Sequence, residues 1–257
     1  MPKKKPRSAF VLCFINQKGG VGKSTLAGAV GAGLAKKGKH VLFVDLDAQG
    51  NLTRALCADT AGPTAYDAMT GTAAAAAIRH TEQGDVMPAS DAFIGADKKI
   101  QGIGSEYRLR DALRPLRPLY DAIIVDTPPA LGIVSVNALC AADGIVIPTE
   151  ATPFSLQGLA QLAENVPAVQ HGGNPDLRIM GVVLTRWNAR SILSRDFAEI
   201  IEDKAREIGT TVYNTRIREA VAWKESQAMQ KSVFDYAPKS NAAADAAQLV
   251  AEIIKQI

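Results

Sequence analysis

Asn16-Gln17-Lys18-Gly19-Gly20-Val21-Gly22-Lys23-Ser24-Thr25 decides how the rest of this chain is read. The stretch follows a short apolar run, Ala9 to Ile15, and leads into a helical segment from Ser24 to Lys37. Gly38 closes that segment at the position that favours a left-handed cap. A glycine-rich turn between a buried strand and a helix is the setting of a phosphate-binding loop. Glycines let successive backbone N–H groups curl around an anion, and the helix N-terminus adds positive potential. In such a loop Lys23 reaches the β- and γ-phosphates, Ser24 offers a hydroxyl to Mg²⁺, and Thr25 reaches the α-phosphate. The ordinary motif, G-x-x-x-x-G-K-[ST], asks for glycine at position 17. Here Gln17 stands there, and a second lysine, Lys18, follows it.

Working outward, apolar runs alternate with helical segments along the whole length. Val41-Leu42-Phe43-Val44 ends in Asp45-Leu46-Asp47, and further runs follow at Asp121 to Asp126, Gly144 to Pro148 and Arg178 to Leu184. Continuous apolar runs mean strands covered on both faces, the signature of a parallel sheet wrapped by helices. The expected fold class is therefore α/β, a doubly wound, mostly parallel sheet flanked by helices. One domain over 9–257 is expected behind a basic tail at 1–8. From about Thr60 to Gly104 the pattern predicts only short helices, one of them at the alanine run Ala73 to Ala77, and a minor strand pair. Val212-Tyr213 reads as a last short strand. Asn241 to Ile257 reads as a terminal helix with Ala242, Ala246, Leu249, Val250, Ile253 and Ile254 on one face.

Composition bounds the function. With 257 residues, 47% hydrophobic and 21% charged, the chain is neither disordered nor fibrous. No apolar run approaches the ~18 residues a membrane span needs. The basic N-terminus is not followed by a signal-peptide core, so the chain reads as cytoplasmic. Three scattered cysteines include no Cys-x-x-Cys, which argues against a metal or iron–sulfur centre; Cys13 and Cys140 read as buried thiols. Net charge is only +3, but its distribution is uneven. Pro118 to Leu177 holds no Lys or Arg, whereas Arg178 to Lys231 holds ten, among enough acids to make a salt-bridged surface. Within it, Arg195 with Glu199, and Lys204 with Asp203 or Glu207, are spaced to pair.

Lys18-Gly-Gly-Val-Gly-Lys-Ser-Thr25 resembles the deviant Walker A motif of the ParA/MinD group of P-loop ATPases, and within that group the chain looks most like ParA, the ATPase of plasmid and chromosome partition. The likeness continues through Asp45-Leu-Asp-Ala-Gln-Gly-Asn51, Asp126-Thr-Pro-Pro-Ala-Leu-Gly132, Val136-Asn-Ala-Leu139 and Ile147-Pro148. It covers nearly the whole chain. It implies ATP and Mg²⁺ as cofactors, with ATP bound by Lys18, Gly19, Gly20, Val21, Gly22, Lys23, Ser24 and Thr25. A late loop, Tyr236 to Asn241, matches the family's adenine segment and brings in Pro238. The resemblance casts Lys18, Lys23 and Asp47 as catalytic: Lys18 reaches across a sandwich homodimer to the partner's phosphates, and Asp47 is needed for hydrolysis. Ser24, Asp47 and Asp126 would hold the metal shell. Asp45 either assists through Mg²⁺ or is a buried structural carboxylate. Thr127 to Gly132 resembles a switch segment, stiffened by two prolines and freed at its far end by Gly132.

The resemblance also implies DNA binding without sequence preference, by the ATP dimer alone. Arg186, Arg190, Arg216 and Arg218 are the candidate contacts, with Arg195, Lys224 and Lys231 behind them. A ParB-like centromere-binding protein would stimulate slow hydrolysis and release the dimer from the nucleoid. The alternatives are a nucleoid-bound ATPase that positions a protein cargo and a MinD-like membrane ATPase. The second needs a basic amphipathic C-terminal helix, whereas Asn241 to Ile257 carries one lysine and is rich in alanine. Because the first strand begins so near the N-terminus, no helix-turn-helix domain and no operator-specific repression are expected.

Overall fold

A computed structural model describes residues 8–257. The basic tail expected at 1–8 therefore lies, apart from Ser8, outside the described residues. Seven strands form one sheet: β1 (Phe10–Phe14), β2 (Val41–Asp45), β3 (Arg79–Thr81), β4 (Gly84–Met87), β5 (Ala122–Asp126), β6 (Gly144–Glu150) and β7 (Arg178–Thr185). Their order is β3-β4-β2-β5-β1-β6-β7, and every neighbouring pair is parallel except β3 with β4. The helices are α1 (Lys23–Lys36), α2 (Asn51–Ala55), α3 (Ala65–Met69), α4 (Ala96–Lys99), α5 (Arg108–Leu113) and α6 (Ile133–Ala141). After them come α7 (Pro153–Gly172), α8 (Ile192–Glu207), α9 (Val221–Ala228), α10 (Val233–Tyr236) and α11 (Asn241–Ile254).

The doubly wound architecture expected from the apolar runs is the one observed. Along β1, Val11 and Cys13 point into one apolar layer, while Leu12 and Phe14 point into the other, as the period of two requires. The first layer packs α5, α6, α7 and α8 against the sheet through Leu109, Leu139, Leu159 and Ile201. Leu26 and Val30 of α1 and Leu249 and Val250 of α11 build the second. Ala242, Ala246, Leu249, Val250 and Ile253 are all buried, so the apolar face of α11 is spent on the core. Among the described residues no helix is long and apolar enough to cross a membrane.

Two expectations are met in reduced form. The alanine run folds as a single 3₁₀ segment, Ala74–Ala77. Val212 makes only an isolated parallel bridge to Val182, not a strand. The minor strand pair is present as the antiparallel β3 and β4. Cys13 and Cys140 are buried free thiols, and Cys57 is exposed.

The α1–sheet contact is close because α1 carries small residues. A Cβ on Gly31 would lie 2.0 Å from the Phe43 ring, whereas one on Gly28 meets only Leu52 Cδ1 at 3.4 Å. Gly31→Ala is therefore expected to destabilise the protein by about 1–3 kcal/mol through overpacking. Gly28→Ala should be neutral or gain up to about 1 kcal/mol of helix propensity. Urea denaturation of the two variants checks the contrast.

Candidate nucleotide site

The glycine-rich loop leaves the C-terminal end of β1, an interior parallel strand between β5 and β6. Asn16 fastens its start. Fully buried, Asn16 donates from Nδ2 to the Pro148 carbonyl at 2.7 Å, and its Oδ1 accepts the Lys18 N–H at 2.9 Å. Gly20 and Gly22 take φ of 76° and 92°, the left-handed region that strains any other residue. The backbone N–H groups thus curl over the first turn of α1, as anion binding requires. Lys23 opens that helix, is only 6% exposed, and folds back to donate to the Lys18 carbonyl at 3.2 Å. Burial holds its pKa below the ordinary lysine value, against the opposing pull of the Asp126 and Asp47 charges.

Three carboxylates lie beneath and beside the loop. Asp45 and Asp126 end β2 and β5 as register partners, and both are fully buried. Asp45 is saturated: Oδ2 accepts from the Thr53 N–H at 2.8 Å and the Thr53 hydroxyl at 2.7 Å, and Oδ1 from the Asp47 N–H at 3.1 Å. Burial pushes its pKa up to about 6 despite these donors. Of the two roles open to Asp45, the structural one is what the structure shows. Asp126 is the opposite case, since neither carboxylate oxygen has a hydrogen-bond partner. Its pKa stands well above the usual range, first because of burial and then because of the Asp45 charge; Ser24 and Lys23 oppose the shift only in part. Asp47 is half-buried and accepts the Gln49 N–H at 3.0 Å.

Two clefts flank the loop. The larger, about 710 Å³, is lined by Lys23, Ser24, Thr25, Asp47, Pro129 and Gln227 among others. Gln227 ties α9 to the loop by donating to Thr25 Oγ1 at 2.8 Å. The smaller, about 210 Å³, lies between Gly20–Gly22 on one side and Thr185, Arg186, Ile217 and Trp223 on the other. The Thr185 hydroxyl is buried there without a partner. Pro238 is exposed and lines neither cleft, so the structure does not bring it to the loop.

Comparisons with known proteins agree with this geometry. A family model described as an AAA domain matches residues 9–179. The chain is 38% identical over 239 residues to the sporulation initiation inhibitor protein Soj of Bacillus subtilis, covering 91% of this chain and 93% of that one. It is 34% identical over 252 residues to the chromosome partitioning protein ParA of Myxococcus xanthus, covering 96% and 88%. Among solved structures, a cobyrinic acid a,c-diamide synthase from Mycobacterium smegmatis with bound ATP analog and magnesium superposes with a TM-score of 0.84 at 29% identity, covering 96% of this chain and 95% of that one. This chain belongs to the ParA family of partition ATPases.

To the expectations for that family, the switch segment adds one feature. Gly132 is expected to free the far end, and a Cβ there would also lie 2.5 Å from Asp97 Oδ1. The same Asp97 oxygen accepts the Ile133 N–H at 2.7 Å and so caps α6. The glycine therefore also leaves room for the Asp97 carboxylate against the start of α6. Of the four arginines, three are paired. Arg186 Nη1 meets Glu150 at 2.9 Å, and Arg216 Nη2 meets Glu202 at 2.6 Å. Arg218 gives Nε, Nη2 and its own N–H to the buried Asp245. Arg190 is exposed, and no ion pair of its guanidinium occurs among the described residues. Lys204 pairs with Glu207 at 2.6 Å, one of the two partners its spacing allowed.

Thr53, Gln227, Thr185 and Glu150 are site residues that carry no motif of their own.

Because Asp126 titrates higher in the folded chain than in the unfolded one, its ionised form opposes folding, and the penalty grows as pH rises above about 4. Asp126→Asn removes that penalty. The nucleotide-free variant is expected to melt several degrees higher at neutral pH, at about 2–4 °C per kcal/mol relieved, and to converge on the wild type near pH 4. Calorimetry across pH 4–8 checks both the sign and the window.

Proposed function

We propose that this chain is a nucleotide-gated DNA-partition switch that binds ATP and Mg²⁺, dimerises, holds DNA without sequence preference and lets go on hydrolysis. The observation that carries the reading is the partnerless buried carboxylate of Asp126 beside the glycine loop and Lys23. A fold that buries an unsolvated carboxylate next to an anion cradle is short of a cation that arrives with the anion. Asp126 and the Ser24 hydroxyl fit Mg²⁺. Among the described residues no group of three or more His, Cys, Asp or Glu could hold a metal ion, so further ligands would come from water and nucleotide phosphates, as Mg²⁺ prefers. Bound there, Mg²⁺ would neutralise charge developing on the transferred phosphoryl group.

The chain's own residues supply the rest. The N–H groups of Gly19 to Thr25 cradle the phosphates, and Lys23 exchanges a carbonyl for them. Asp47, on the wall of the larger cleft, orients the attacking water. The smaller cleft suits the base: Trp223 offers an apolar face, and Thr185 a hydroxyl in need of a partner. Lys18 would cross to a second subunit's phosphates in a sandwich dimer. Arg190 is then the first DNA contact, since its charge is uncommitted, and two subunits double the phosphate contacts. A ParB-like partner would stimulate hydrolysis, and the cytoplasmic nucleoid would be the working surface.

Binding to an arbitrary duplex at two salt concentrations, without nucleotide, with ADP and with ATP–Mg²⁺, tests the reading. Salt-sensitive binding in ATP alone is expected; no binding in any state, by a protein that still dimerises, would refute it. Asp47→Ala should trap a DNA-bound dimer, and hydrolysis at the wild-type rate would exclude Asp47 from the role. Arg190→Glu should weaken DNA binding by about tenfold or more at moderate salt while leaving ATP-dependent dimerisation intact.

A further inference from the structure

Helix α9 and the turn after it touch three parts of the nucleotide site at once. Trp223 lines the smaller cleft and donates from Nε1 to the Arg218 carbonyl at 3.1 Å. One helical turn on, Gln227 lines both clefts and donates from Nε2 to Thr25 Oγ1 at 2.8 Å. Gln230, at a φ of 54°, donates to the Arg54 carbonyl of α2 at 3.1 Å. Thr25 also lines both clefts. A nucleotide with its base in the smaller cleft and its phosphates over Lys23 must therefore cross from one to the other at the Thr25–Gln227 contact. That contact has a direction. A threonine hydroxyl carries one proton and two lone pairs. Gln227 fills a lone pair, which leaves the Thr25 proton free to be donated; in a helix it would otherwise turn to the carbonyl four residues back. The bond from Gln227 is the one hydrogen bond of this hydroxyl among the described residues.

We propose that Gln227 is a positioning residue that, by donating to Thr25, presets the threonine proton toward the α-phosphate of the bound nucleotide. The inference rests on the reading of Thr25 as the residue that meets that phosphate. An amide suits the place. It is neutral, so it sets no charge against a polyphosphate, and its N–H is a donor that a carboxylate lacks. A hydroxyl already turned the right way loses less rotor freedom when the phosphate arrives, which raises affinity without a new contact. ATP and ADP share the α-phosphate, so the effect is common to both. Because Gln227 and Trp223 stand on one helix, the contact that sets the hydroxyl also fixes a wall of the cleft assigned to the base.

Calorimetric titration of the full chain with ATP–Mg²⁺ and with ADP–Mg²⁺ tests this through a double-mutant cycle. Thr25→Val keeps the shape, loses the hydroxyl, and should weaken both nucleotides about tenfold, the scale of a hydrogen bond to a charged group. Gln227→Leu should weaken both about fivefold in the wild-type background. Added to Thr25→Val, it should cost less than about twofold, because the hydroxyl it sets is already gone. Gln227→Met, which keeps the length and lacks the N–H, repeats the comparison and should behave as Gln227→Leu does. A glutamine that merely packs α9 against the loop would cost the same factor in both backgrounds, and that result overturns the inference. So does wild-type affinity in both Gln227→Leu and Gln227→Met. A Thr25→Val protein that binds both nucleotides as tightly as the wild type would instead overturn the reading of Thr25, a result visible before Gln227 is touched.

Discussion

Asp45 and Asp126 lie side by side at the ends of two parallel strands, both wholly buried, and the site follows from how differently they are solvated. Thr53 and the Asp47 N–H saturate the first; nothing saturates the second. Burial raises both pKa values, and the Asp45 charge raises that of Asp126 further. Lys23 is displaced the other way, its burial favouring the neutral amine. The phosphate loop therefore sits beside an amine and a carboxyl group whose charged forms are both disfavoured by burial. A metal-bound polyphosphate supplies partners that favour both charged forms together. Such a deficit is tolerable only where a large core carries the cost, which is what the sheet, covered on both faces, provides.

Much of this architecture was legible in the sequence, for a physical reason. Central strands of a parallel sheet have no solvent face, so they appear as unbroken apolar runs, and the phosphate loop is contiguous. What escaped notice lies where the chain turns polar. The run Gly144 to Pro148 continues as strand through Thr149 to Glu150, two residues that carry no apolar signal. The second of them pairs with Lys18 at 2.8 Å. Between residues 60 and 104 the elements are too short for periodicity to show, and an alanine run is equally compatible with α and 3₁₀ turns.

The site was half legible. Motif residues were visible because they are adjacent in sequence, whereas Thr53 reaches Asp45, and Thr185 and Gln227 reach the loop, only through the tertiary fold. Pro238 illustrates the converse: the family match ties it to the base, while in the structure it is exposed and lines neither cleft beside the loop. Gly132 shows that a glycine's reason cannot be read from its identity. Freedom and crowding both select against a side chain, and the Asp97 carboxylate at 2.5 Å from an added Cβ adds the second to the first.

The arginines carry the same lesson into energetics. Counting cations between Arg178 and Lys231 suggests a phosphate-binding surface, yet a paired guanidinium releases no counterion until its partner lets go. The pairs differ in how readily they let go. Glu202 is partly exposed, so Arg216 can exchange it for a DNA phosphate at little cost. Asp245 is 3% exposed, and withdrawing Arg218 would strand a buried carboxylate. Arg218 is therefore a held side chain. Its Nε and Nη2 are both committed to Asp245, in an orientation fixed by the C-terminal helix. A held arginine gives little affinity by charge alone, but it sets where a phosphate must sit. On the proposed DNA-binding reading, Arg190, which has no ion pair among the described residues, supplies the charge, and the held Arg218 sets the register.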